Sequence, residues 1–170
     1  MILGLSEVRL WLQIAAIVAL VIAAWRYGAD PERILAGTLA GMMVVDSGYH
    51  ALLETRDFMP PPEIIHLGID LTALAVSVAV ALLANRLYPL WFAAFQLIAL
   101  MAHFANEMAP GVARLAYGIM YIGPSYFQII LLAGGIWFHR RRVRRHGPYR
   151  SWRTSSPRSR ATRPGNWPNA

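Results

Sequence analysis

Apolar residues along this chain gather into five runs, about 8–25, 34–53, 64–84, 87–106 and 115–138, separated by short polar breaks. Each run approaches or exceeds the roughly 18 to 20 residues an α-helix needs to cross a bilayer. Five such helices in a water-soluble core would have no polar face to offer, so their outer surfaces call for lipid. The pattern predicts an all-α, polytopic membrane protein. Residues 1–138 should form a five-transmembrane-helix bundle, and 139–170 a disordered basic tail.

The breaks carry matching local signals. "ADPER" offers Asp30 as a helix cap, Pro31 at the first helical position and Glu32 in the first turn. "MPPPE" opens the third helix near Glu63, "LYPLW" the fourth at Pro89, and "APG" at 109–111 turns the chain toward the fifth. Connections this short make consecutive helices antiparallel neighbours. Pro124 should kink the fifth helix and release the carbonyl of Met120. "GTLAG", with Gly37 and Gly41, matches the small-residue spacing that permits close helix approach.

Composition strengthens the membrane reading. The chain is 56% hydrophobic and only 15% charged, against about a quarter charged in soluble domains. Without cysteine there are no disulfides and no thiolate metal ligands. All sixteen basic residues are Arg, a bias expected of a GC-rich bacterial genome. The first run lacks a small-x-small cleavage site at "VIAAWRYG" and reads as a retained span, with Arg9 snorkelling to the interface.

Charge sets the expected orientation. Residues 139–170 hold ten Arg and no acid; positive charge near span ends stays cytoplasmic. The C-terminus is therefore placed inside and the N-terminus outside, in a bacterial inner membrane. Away from the tail, Arg26, Arg33 and Arg86 fall inside and Arg9, Arg56 and Arg114 outside, so the tail decides.

Polar residues interrupt the apolar runs at one level. "VVDSGYHALL" carries Asp46 and His50; "IIHLGIDLT" returns the pair in reverse as His66 and Asp70; "MAHFANE" adds His103. At 1.5 Å per residue, His50, His66 and His103 lie about 4–6 Å below the outer boundary, and Asp46 and Asp70 about 10–12 Å below it. Residues four apart share a helix face, so each pair points one way. Ser77 extends the stripe on the third helix, and Tyr117, Tyr121, Ser125 and Gln128 form one on the fifth. Charged groups at mid-bilayer cost about 2.5–3.5 kcal/mol each when they face lipid, which drives these faces inward.

Imidazole with carboxylate suits zinc or iron, and the same groups can carry protons. His50, His66, His103, Asp46 and Asp70 are the candidate ligands for one transition metal ion, with Ser77, Tyr121 and Gln128 as supporting polar groups. Haem on two axial histidines is less favoured, because each histidine lies one turn from a carboxylate. The bland reading is that polar side chains merely bond helices together, at about 0.6 kcal/mol each on average.

There is no HExxH helix, phosphate-binding GxxxxGK[ST] loop or GxSxG elbow, which favours binding over catalysis. The enzyme alternative is a metal-dependent hydrolase: "DSGYH" with His66 and His103 resembles the Ser, Asp and His set of alkaline-ceramidase-type membrane hydrolases. That family's larger span number and paired C-terminal histidines are absent here. A structural subunit without a site is the third possibility. Expected partners are the bilayer, anionic lipid headgroups at the tail, and a second copy or a larger membrane assembly; nucleic acid is disfavoured.

Overall fold

The computed structural model describes the backbone of residues 2–52, 62–108 and 114–153, and the side chains of 7–51, 64–105 and 123–153. It contains α1 (Ile2–Tyr27), α2 (Asp30–Leu52), α3 (Pro62–Leu83), α4 (Tyr88–Met108) and α5 (Arg114–His146). Each helix packs on the next, α1 closes the ring on α5, and α2 also touches α5. Among the described residues, three helices are long and apolar enough to cross a membrane: stretches Glu7–Tyr27, Ile64–Leu83 and Tyr88–Ala105. Their outer surfaces stay apolar, with Trp11, Leu71, Leu82 and Trp91 all more than half exposed. That much apolar surface is costly in water and cheap in lipid.

The bundle has two unlike halves. Ile17, Leu20 and Ala24 of α1, Leu35 and Leu39 of α2, Val80 of α3, Phe92 of α4, and Leu132 and Ile136 of α5 form one buried apolar core. All of them lie toward the Arg-rich end. The other half, holding the start of α1 and α3 and the end of α2, instead encloses a cavity where polar and apolar side chains mix.

Local chemistry at the Arg-rich end departs from expectation. Ala29 is the residue whose carbonyl accepts the first bond of α2, from Arg33 N–H, and Glu32 Oε2 accepts from Ala29 N–H at 2.9 Å. This is the reach-back half of a capping box, and Asp30 is left free to accept from the Trp152 indole at 3.1 Å. Glu32 is fully buried. Its Oε1 accepts the Tyr88 hydroxyl at 2.9 Å and forms an ion pair with Arg86 Nη1. Arg86 Nε has no hydrogen-bond partner among the described residues.

The tail is ordered further than its composition suggests. α5 continues past residue 138 to His146, and Gly147, at φ 77°, ends it with an N–H bond to the Val143 carbonyl. Such a left-handed glycine, followed by Pro148, reverses the chain. Residues 151–153 then lie antiparallel to the α3–α4 connection, with Asn85 N–H donating to Ser151 O at 3.0 Å and Arg153 N–H to Leu83 O at 2.8 Å. The disordered segment expected from 139 thus gives way to a docked strap through Arg153; residues 154–170 lie outside the described residues. Aromatic anchors explain the difference. Tyr149 stacks under Arg142 and Arg86, at 4.1 and 5.4 Å from their guanidinium carbons, and Trp152 packs on the core.

His139 of α5 meets this strap. Burial, then the adjacent Arg86 charge, holds its pKa below the ordinary histidine value. Its Nδ1 lies 3.0 Å from Arg86 Nη2 and 3.0 Å from the Tyr149 hydroxyl. Since Arg can only donate, Nδ1 is the acceptor. Burial likewise lowers the pKa of Arg86.

Glycine placement also corrects an expectation. A Cβ at Gly37 or Gly41 would meet nothing within 4 Å, so neither mediates a close helix approach within the chain. Gly135 does, because its Cβ would come within 2.8 Å of the Tyr88 ring, which Glu32 pins in place. Gly135→Ala is expected to destabilise the protein by about 1–3 kcal/mol. Gly134→Ala, with open space around it, should be neutral or stabilising by up to about 1 kcal/mol. Thermal denaturation in detergent compares the two; equal shifts would refute the close contact. α5 runs through Pro124 as continuous helix.

Candidate metal centre

Asp46 and His50 stand one turn apart near the end of α2, and His66 stands on the first turns of the antiparallel α3. Because the two helices are neighbours running opposite ways, the three side chains converge. Asp46 Oδ1 is 2.7 Å from His66 Nε2 and 3.8 Å from His50 Nε2, and the two Nε2 atoms are 3.3 Å apart. Three potential ligand atoms therefore lie within 4.8 Å of one another. Ligands held at 2.0–2.1 Å in tetrahedral geometry sit about 3.3 Å from each other, and the observed separations bracket that value. His66 is the most sheltered, its side chain 21% exposed against 40% for His50 and 43% for Asp46.

The set is two imidazoles and one carboxylate, a combination suited to zinc or non-haem iron(II) that leaves coordination positions open. Haem does not fit. Its two axial imidazoles must sit on opposite faces of a macrocycle, and rings with centroids 5.4 Å apart leave no room for one.

His103 and Asp70 do not join this cluster. His103 Nε2 is 2.9 Å from Asp70 Oδ2, and the pair belongs to a second network deeper between α3, α4 and α5. Gln96 donates to Asp70 Oδ1 at 2.9 Å, and Gln128 donates to Gln96 Oε1 at 2.7 Å and to the Phe92 carbonyl at 3.3 Å. Donors thus converge on Asp70 from two directions, and Asp70, Gln96 and Gln128 are all buried. A cation beside Asp70 would compete with those amide hydrogens, so the network reads as a polar scaffold and not a second ligand set.

The five-residue centre expected from the sequence is therefore split in two. α4 packs on α3 and α5, which turns His103 toward Asp70 instead of across the ring to α2. Ser77 is buried and donates to its own helix at the Ala73 carbonyl, 2.7 Å away; it supports neither group. Tyr121 and Tyr117 lie on α5 among residues whose side chains are outside the described set.

Both groups open onto one cavity of about 320 Å³, lined among others by Arg9, Gln13, Asp46, Ser47, His66, Asp70, Gln96, Ser125 and Gln128. Gln96 is not among the residues expected from the sequence. The signal was available, for it lies two turns before His103 on the same face of α4.

No family model, curated protein or solved structure matches the chain. What the fold defines is an all-helical bundle in which three helices could cross a membrane by length and composition.

Proposed function

We propose that this is a non-enzymatic, five-span protein of a bacterial inner membrane that holds one divalent transition metal ion, zinc or iron(II), on Asp46, His50 and His66. The observation that carries the reading is the convergence of one carboxylate oxygen and two Nε2 atoms within 4.8 Å beside a cavity. In the half of the bundle predicted to face outward, the ion would reach the cavity without crossing the apolar core.

Packing supports the reading of five spans. α2 and α5, of 23 and 33 residues, lie side by side with the three apolar helices in one closed ring. If α1, α3 and α4 cross the bilayer, their partners at the same depth cross with them, keeping their polar faces inward. The Arg-rich end would face the cytoplasm. There, Arg140 sits 4.0 Å over the Tyr27 ring, Arg141 5.3 Å over Trp137 and Arg33 5.8 Å over Trp25. Guanidinium over interfacial aromatic rings is suited to contact with anionic lipid headgroups. A second copy or a larger assembly remains compatible with the exposed apolar surface.

Elemental analysis tests the reading directly. Protein purified in detergent and reconstituted anaerobically with zinc or iron(II) should retain close to one ion per chain after desalting. Retention near zero for both metals would leave a membrane bundle whose polar groups only join helices.

A further inference from the structure

We infer that the metal ion is completed by a small carboxylate ligand seated in the cavity, with Arg9 as its counter-cation. The inference rests on the metal reading above and names what the open coordination positions take.

Three observations converge. The two-imidazole, one-carboxylate set uses too few positions to close a metal site, so at least one exchangeable ligand is required. His66 and Asp46 line the cavity, which places that ligand within it. At about 320 Å³ the space is at the small end of ligand pockets, which suits a few-carbon molecule and not a lipid.

Charge selects the class. In the loaded centre the ion contributes two positive charges and Asp46 one negative, and imidazoles bound to metal are neutral. The centre then holds an excess of one positive charge, and Arg9 on the cavity wall adds another. A bound monoanion offsets that charge. Arg9 is available for the task. It lines the cavity, and among the described residues no ion pair or hydrogen bond engages it. Glu7, two residues earlier, does not face it along the helix. Gln13, one turn further along α1, and Ser125 and Gln128 of α5 border the same space, so the ligand would lie among amide and hydroxyl groups.

The experiment uses the full chain in detergent, loaded with Co²⁺, whose visible absorption reports its coordination. Acetate is titrated in, with perchlorate at matched ionic strength as the control. The expected result is a saturable spectral change with acetate only. In Arg9→Gln the apparent Kd for acetate should rise about tenfold or more, the loss of one charge-assisted contact, with Co²⁺ affinity held within about threefold. Arg9→Lys should recover part of the loss, and Arg33→Gln, at the opposite end, should match the parent protein. A cobalt spectrum that acetate does not alter, or alters equally in Arg9→Gln, overturns the inference while leaving the metal centre standing. Failure to bind Co²⁺ at all overturns the metal reading itself.

Discussion

Replacing His66 with alanine is expected to lower the affinity for Co²⁺ or Zn²⁺ by more than about 100-fold, while His103→Ala changes it by less than about tenfold. Groups that merely orient a ligand cost 10–100-fold when removed, so losing a ligand outright should exceed that range. His66 is the sharper choice over His50 because it is the more sheltered and lies 2.7 Å from Asp46. Its ring is fixed by its surroundings, and water cannot easily take its place. His103 serves as the contrast because its Nε2 lies 2.9 Å from Asp70 Oδ2, in the network between α3, α4 and α5. Competition against a chromophoric chelator measures both affinities. Comparable losses in the two variants would mean that the metal sits between the clusters, and that the split described above is wrong.

Arg86→Leu should be the most destabilising single change at the Arg-rich end. It leaves the fully buried Glu32 carboxylate without its cation, although the Tyr88 hydroxyl and Ala29 N–H still donate to it. Removing one partner of a buried pair costs about 3–5 kcal/mol, or roughly 6–20 °C in melting temperature for a chain of this size. The double variant Glu32→Leu/Arg86→Leu should regain much of that, because two apolar groups of similar volume leave no stranded charge. Arg86 also reaches His139 Nδ1 and the Tyr149 ring. Its loss should therefore loosen the strap at 147–153, seen as faster proteolysis after Arg150 or Arg153. Additive losses in the double variant would show that the ion pair contributes no coupling.

Much of the architecture can be read from periodicity. Helix order and the turn signals at Pro31 and Pro89 follow from residue type and the 3.6-residue repeat. The tail was misjudged for a compositional reason. Arg, Ser and Pro dominate it, yet two aromatic side chains and one left-handed glycine were enough to fold its first part back on the bundle. The GxxxG spacing marks no close approach within the chain, because spacing records only the absence of a side chain, not the presence of a neighbour.

The amino-acid order by itself determined that the chain is helical, that its surface suits lipid, and that Asp46, His50, His66, Asp70 and His103 lie at similar depth. Depth follows from position along a helix, which 1.5 Å per residue fixes. Only the tertiary structure decided which of them meet, because that depends on how each helix is rotated about its axis and which helix stands beside it. In the closed ring α2 borders α3, so Asp46 and His50 find His66; α4 lies beyond α3, so His103 finds Asp70. The same ring packing hollowed one half of the bundle into a cavity and filled the other with Phe92, Leu132 and their neighbours.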